Sequence, residues 1–262
     1  MKKLLMLALV LLACPVIAVR AAELRVHRDL PYADPHQERQ TLDVYAPAEG
    51  QNRPIVFWIH GGGLSSGNKK EVRHKPQAFV DHGFVFVSTN YRLMPSVTAE
   101  QIAADIAKAI RWVHDHAKEY GGAPDTIFLM GHSAGGQLAA LVATDHRFLK
   151  AEGLSPAIIK GCAPVDGRFS DLRGSLESNT SPLKHVGKDK GIPPFLILYV
   201  ADRPESRAQT QVFAKALQDA GVSTNVFAAT GKNHATIDSD LGLADDVPTQ
   251  ELWKFLDGIL KK

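Results

Sequence analysis

Short apolar runs and helix-spaced apolar positions alternate along the chain. RPIVFWIHG (53–61) runs into a glycine cluster, FVFVSTNYR (84–92) and TIFLMG (126–131) follow, then AIIKGCAPV (157–165), PPFLILYVAD (193–202) and STNVFAAT (223–230). Continuous rather than alternating apolarity is what strands buried on both faces require, and it predicts a mostly parallel sheet. Between them lie helical patterns. From Thr98 to Tyr120 apolar residues recur at Ile102, Ile106, Ala109, Ile110 and Val113, with Thr98 and Gln101 spaced as a capping box and Gly121-Gly122 as a stop. An alanine- and leucine-rich stretch through Ala143, residues 205–220 and residues 249–260 complete the helices, while 24–32 and 39–47 read as edge strands. Strand-helix alternation of this kind predicts one α/β domain with helices on both faces of the sheet. Only the polar, glycine-containing stretch 166–192 breaks it, as the sole candidate for a minimal lid.

The first 22 residues differ from the rest. Lys2 and Lys3 precede an apolar run from Leu4 to Val19, and small residues follow at Ala21 and Ala22. That is the order of a secretory leader, too short at its apolar centre for a bilayer span of about 20 residues. The division expected is therefore a signal peptide over 1–22 and one domain over 23–262, exported to the periplasm or secreted, without stable membrane insertion once mature. Leu11-Leu12-Ala13-Cys14 offers lipoprotein processing at Cys14 as an alternative, disfavoured because the chain stays apolar beyond it. The whole chain carries 30 cations and 28 acids, and removing Lys2, Lys3 and Arg20 leaves 27 against 28. A domain this close to neutral has no electrostatic footprint for nucleic acid. Cys162, in an apolar run, reads as a core residue, and no cysteine or histidine grouping suggests a metal.

Two glycine motifs carry the chemistry. GHSAGG (131–136) lies between a predicted strand and a predicted helix, where flanking glycines let the two elements pass closely and a serine at the tip, Ser133, is exposed as a nucleophile. HGGG (60–63) also ends a buried strand, and its side-chain-free backbone is suited to offering N–H groups to an oxyanion. A serine hydroxyl needs a base held by an acid, in the chain order serine, acid, histidine. Of the downstream histidines, His146 falls at the end of a helix and His185 precedes a strand, which leaves His234 in the TGKNH loop. Two aspartates end strands, Asp166 and Asp202. Asp202 is preferred because it closes the strand before the one leading to His234, with Asp166 as the competitor. His60 and His132 read as residues that pin the neighbouring loops, and Trp58, Trp112 and Trp253 as core.

HGGG, STNYRLMP (88–95), GHSAGGQLAAL (131–141), a strand-ending aspartate and the KNH loop together resemble the hormone-sensitive-lipase-like esterases. The closer likeness is to the compact bacterial branch of acetyl- and feruloyl-esterase-like enzymes and kynurenine formamidase relatives. The likeness covers nearly all of the chain after residue 24 and implies an α/β-hydrolase fold. It also implies a Ser133–Asp202–His234 triad, an oxyanion hole from the amides of Gly62, Gly63 and Ala134, and a serine carboxylesterase that needs no cofactor. The substrates implied are short-acyl or feruloyl esters, free or linked to polysaccharide. An arylformamide hydrolase, an exopeptidase of the same fold and an inactive binding protein are the alternatives. Leu64 departs from the aromatic residue common after HGGG in that family.

Overall fold

The computed structural model describes residues 22–170 and 179–261. The proposed leader up to Ala21 and the centre of the proposed lid thus lie outside the described residues. Eight strands form one sheet in the order β1-β2-β4-β3-β5-β6-β7-β8. They are β1 (Leu24–Pro31), β2 (Thr41–Pro47), β3 (Arg53–Ile59), β4 (Val85–Thr89), β5 (Gly122–His132), β6 (Ile159–Val165), β7 (Phe195–Val200) and β8 (Thr224–Ala229). The pairs β1–β2 and β2–β4 are antiparallel, and every later pair is parallel.

The apolar runs are buried on both sides because successive side chains enter different cores. Ile55, Phe57, Ile59, Ile127 and Leu129 face one cluster, and Val56, Trp58, Phe128 and Met130 the other. The first cluster is covered by α2 (Ala99–His116), α3 (Ala134–Thr144), the short α4 (Arg147–Ala151) and α5 (Pro204–Asp219). The second lies under α1 (Lys75–Asp81), α6 (Thr236–Ser239) and α7 (Val247–Leu260). The capping box closes as the sequence requires: the Gln101 N–H donates to Thr98 Oγ1 at 3.2 Å and the Thr98 N–H to Gln101 Oε1 at 2.9 Å. The 3₁₀ turn that follows α2 ends at Gly121, φ 74°. Helix α1 was not legible in the hydrophobic pattern, since a seven-residue element that buries Phe79 and Val80 carries too few apolar positions to show a period.

The described ends of the lid candidate are anchored. Phe169 is buried against Phe213 with ring centroids 4.5 Å apart, and its carbonyl accepts from Leu183 N at 3.2 Å and Ser181 Oγ at 3.1 Å.

Candidate active site

Parallel strands β5, β6, β7 and β8 bring four loops to one sheet edge, and the candidate residues sit on them. Ser133 occupies the turn from β5 into α3 with φ 55° and ψ −120°. A non-glycine residue in that region is strained and persists only where its surroundings fix it. Here the Ser133 N–H donates to Val165 O of β6 at 2.9 Å. Glycine at 135 is a steric necessity, because a Cβ there would lie 2.1 Å from the Ile59 carbonyl oxygen. The two strand ends and α3 therefore meet almost backbone to backbone, and the hydroxyl is thrust outward.

His234 Nε2 stands 3.0 Å from Ser133 Oγ, and its Nδ1 stands 2.5 Å from Asp166 Oδ2. For Nε2 to accept the serine proton, Nδ1 must carry the hydrogen and donate it to the carboxylate. The imidazole is also held through its backbone: His132 Nε2 donates to His234 O at 2.8 Å. The segment after it is tied down by Asn233 Oδ1, which accepts from the N–H groups of Ala235 and Thr236, each at 2.9 Å. The buried Lys75, 4.6 Å above the Trp58 ring, donates to the Asp238 carbonyl oxygen at 2.8 Å.

The acid position corrects the expectation drawn from strand order. Asp202 is exposed and does not reach His234; Asp166 does. The cause is the turn after β7. Its Arg203 N–H returns to Val200 O at 3.2 Å, which leaves Asp202 at the outer corner and turns Arg203 inward. Asp166 directly follows the last residue of β6 with φ 44°, a left-handed conformation that aspartate tolerates, and crooks its side chain across the end of β7. There it accepts from Val200 N at 3.2 Å and pairs with Arg203 Nη1. Burial pushes its acidity down, but hydrogen bonds from His234, Ser206 and Val200 and the Arg203 charge outweigh that and hold the pKa well below the usual carboxylate range. Arg203 Nη1 also lies 2.8 Å from His234 Nδ1. Both atoms are donors to the one Asp166 oxygen in the productive tautomer, so this separation is the base of a triangle whose apex is Oδ2, not a further bond.

The HGGG segment is fixed from behind. His60 Nδ1 donates to Gly61 O at 2.7 Å, and the Tyr91 hydroxyl donates to His60 O at 3.0 Å and to Gly61 O at 3.3 Å. Gly62 O accepts from the N–H groups of Ser65 and Ser66 and from Ser66 Oγ. In a trans peptide the carbonyl and the following N–H point opposite ways. Pinning the carbonyls of Gly61 and Gly62 into the protein therefore turns the N–H groups of Gly62 and Gly63 outward, into a recess that both residues line beside Ser133. Those amides and that of Ala134 donate to no backbone partner among the described residues. Glycine is required at 62, where φ is 103° and a Cβ would sit 2.3 Å from Ser66 O.

Arg39 was absent from the sequence reading, having no local signal in its polar turn. Its Nε donates to Tyr91 O at 2.9 Å, and its Nη2 donates to Gly67 O at 2.8 Å and approaches His60 Nε2 at 3.3 Å. His60 stacks on Tyr91 with ring centroids 4.3 Å apart. Burial, aided by the Arg39 charge and only partly opposed by the bond to Gly61, lowers its pKa to about 4. His60 is thus a neutral splint.

Among solved structures, esterase B from Lactobacillus rhamnosis superposes with a TM-score of 0.77 over 91% of this chain and 88% of its own, at 21% identity. The chain has the α/β-hydrolase fold. The BD-FAE family model matches residues 42–159 of this chain. Esterase LipQ of Mycobacterium tuberculosis is 28% identical over 248 residues, 80% of this chain and 57% of LipQ. Kynurenine formamidase of Danio rerio is 28% identical over 229 residues, 80% of this chain and 74% of that protein. The chain spans about half the length of the first curated relatives it matches. The resemblance carried by HGGG and GHSAGG therefore stands.

Two recesses flank Ser133. One, of about 330 Å³, has Gln137, Arg168, Arg203, Glu205 and Gln209 in its wall; the other, of about 810 Å³, opens between the HGGG loop and the His234 loop. Leu64, where the related esterases often place an aromatic residue, is buried with φ 65°. Cys162 is wholly buried, which pushes its thiol pKa well up and makes it inert. No helix among the described residues is long and apolar enough to cross a membrane.

Proposed function

We propose that this chain hydrolyses carboxylic esters of short acyl groups with Ser133 as nucleophile, His234 as base and Asp166 as the acid that orients it. The observation that carries the reading is the in-line contact of Ser133 Oγ with His234 Nε2 at 3.0 Å and of His234 Nδ1 with Asp166 at 2.5 Å. As Oγ bonds to the ester carbonyl carbon, its proton passes to Nε2, and the amides of Gly62, Gly63 and Ala134 receive the carbonyl oxygen as it becomes an oxyanion. Nε2–H then protonates the departing alkoxide. Water adds to the acyl-enzyme by the same route and frees the acid and Ser133. Asp166 keeps Nδ1–H in the required tautomer and faces the imidazolium throughout.

The smaller recess supports short acyl groups by its size, since about 330 Å³ limits how many methylenes it can lodge, each worth only about 0.8 kcal/mol when buried. The likeness to a kynurenine formamidase over 74% of that protein's length supports a second reading, hydrolysis of an N-formyl arylamine at the same serine.

A fluorophosphonate probe together with p-nitrophenyl esters from acetate to laurate and an N-formyl arylamine tests both. Expected are labelling of Ser133, loss of labelling and of at least about 10³-fold in kcat in Ser133→Ala with an unchanged melting temperature, and kcat/KM falling beyond butyrate. An unlabelled wild type would refute the nucleophile. Rates rising toward laurate would refute the short-acyl preference, and a better formamide than ester would select the second reading.

A further inference from the structure

The acid-side recess is built from more than the triad needs. Arg203 is fixed at three points: its N–H to Val200 O, its carbonyl oxygen to Arg207 N at 3.0 Å, and Nη1 to Asp166. Its role behind Asp166 uses Nη1 alone. Nε and Nη2, the edge that receives a carboxylate side-on, have no protein partner among the described residues, and the side chain is 35% exposed in the wall of the recess. Arg168 lines the same wall. Its described partner is Glu205 at 3.6 Å, with side chains 64% and 77% exposed, an ion pair of little energetic consequence that an incoming anion displaces at small cost. The 16-residue helix α5 starts at this wall and turns its positive end toward it. Gln209 accepts at Oε1 from Phe169 N and has no partner for its amide NH₂ among the described residues.

Other features of the molecule lead nowhere comparable. The Lys69–Asp29–Asp43 group is a closed ion-pair cluster behind the first strands. In the recess framed by Tyr32, Arg92 and Trp112, the Arg92 guanidinium is already held on Asp105 by paired bonds of 2.7 Å. Among the described residues, a preorganised guanidinium edge stands open beside Ser133.

We propose that Arg203 and Arg168 form a carboxylate subsite, so that the preferred ester carries a free carboxylate in the part lodged on the Asp166 side, as a hemiester of a short dicarboxylic acid does. This rests on Ser133 being the hydrolytic nucleophile. Arg203 supplies the fixed fork and Arg168 the mobile second cation. A carboxylate held there also fixes the reacting carbonyl relative to Ser133, so that binding and positioning are obtained from one contact. Because Arg203 also touches Asp166, the diagnostic variant is Arg168→Met, which leaves the triad untouched.

The test compares p-nitrophenyl hemisuccinate with p-nitrophenyl pentanoate, its neutral match in length, and 4-(carboxymethyl)phenyl acetate with 4-propylphenyl acetate, which moves the charge to the alcohol side. The expected result is an advantage of about tenfold in kcat/KM for hemisuccinate, mostly through KM, that shrinks at high salt. It should fall to about threefold in Arg168→Met, where the Arg203 fork alone remains, with pentanoate hydrolysis unchanged within about twofold. Free succinate should slow fluorophosphonate labelling of wild type more than that of Arg168→Met. An advantage confined to the carboxymethylphenyl pair would overturn the acyl-side assignment. Equal rates for charged and neutral members, or an advantage undiminished in Arg168→Met, would overturn the subsite while leaving the esterase reading intact. Absence of both labelling and ester turnover would remove the two together.

Discussion

His60 holds its proton on Nδ1 for the Gly61 carbonyl and receives Arg39 at Nε2, so a second proton has no place to go, and its pKa falls from 6.5 to about 4. Between those values the unfolded chain binds a proton that the folded chain does not, so acidification through this window favours unfolding. His132, lowered first by burial, acts in the same direction. Asp166 adds to this at lower pH: its depressed pKa contributes stability that is complete above the ordinary value of 3.8 and is lost as pH falls below it. Thermal midpoints should therefore fall steadily from neutrality down to the His60 value of about 4. In His60→Gln, whose amide can still donate to Gly61 and accept from Arg39, the fall should be shallower. A midpoint flat with pH, or the same slope in the variant, would contradict a neutral buried His60.

At the level of elements, the HGGG loop proposed to receive the oxyanion is shaped by what lies behind it. Tyr91 follows β4, His60 ends β3, and Arg39 reaches from the turn before β2 to clamp Tyr91 O and Gly67 O. None of these groups faces the substrate; they orient peptide planes. Arg39→Met should therefore lower kcat by about tenfold to a hundredfold while KM changes far less, because the donors serve the charge that develops in the transition state. Arg39→Lys, which restores one bond and not the fork, should recover part of the loss. Equal kcat in Arg39→Met, or a loss expressed wholly in KM, would show that the loop holds its shape without the clamp. The strands themselves were legible because their apolar runs need no partner to be recognised. The clamp was not, since Arg39 sits among polar residues and acquires meaning only when three loops converge.

For the molecule as a whole, the site is a consequence of strand order. Ser133, Asp166, Arg203 and His234 follow four consecutive neighbours in the sheet, β5 to β8, so their spacing is set by the sheet rather than by any loop. Ser133 could be read from GHSAGG, whose glycines are demanded by close packing against β3, and His234 from its place in the chain after β8. The acid could not, because AIIKGCAPVD and PPFLILYVAD have the same grammar of a buried strand closed by aspartate. What separates them is the turn after β7, which sends Asp202 to solvent and puts a cation in its place, and a left-handed residue after β6. The most direct test compares kcat for p-nitrophenyl acetate in Asp166→Asn and Asp202→Asn. The expected result is a loss of about 10³- to 10⁴-fold in Asp166→Asn, where the amide favours the wrong imidazole tautomer, with Asp202→Asn within about twofold of wild type. A large loss in Asp202→Asn with Asp166→Asn active would contradict the assignment of the acid to β6.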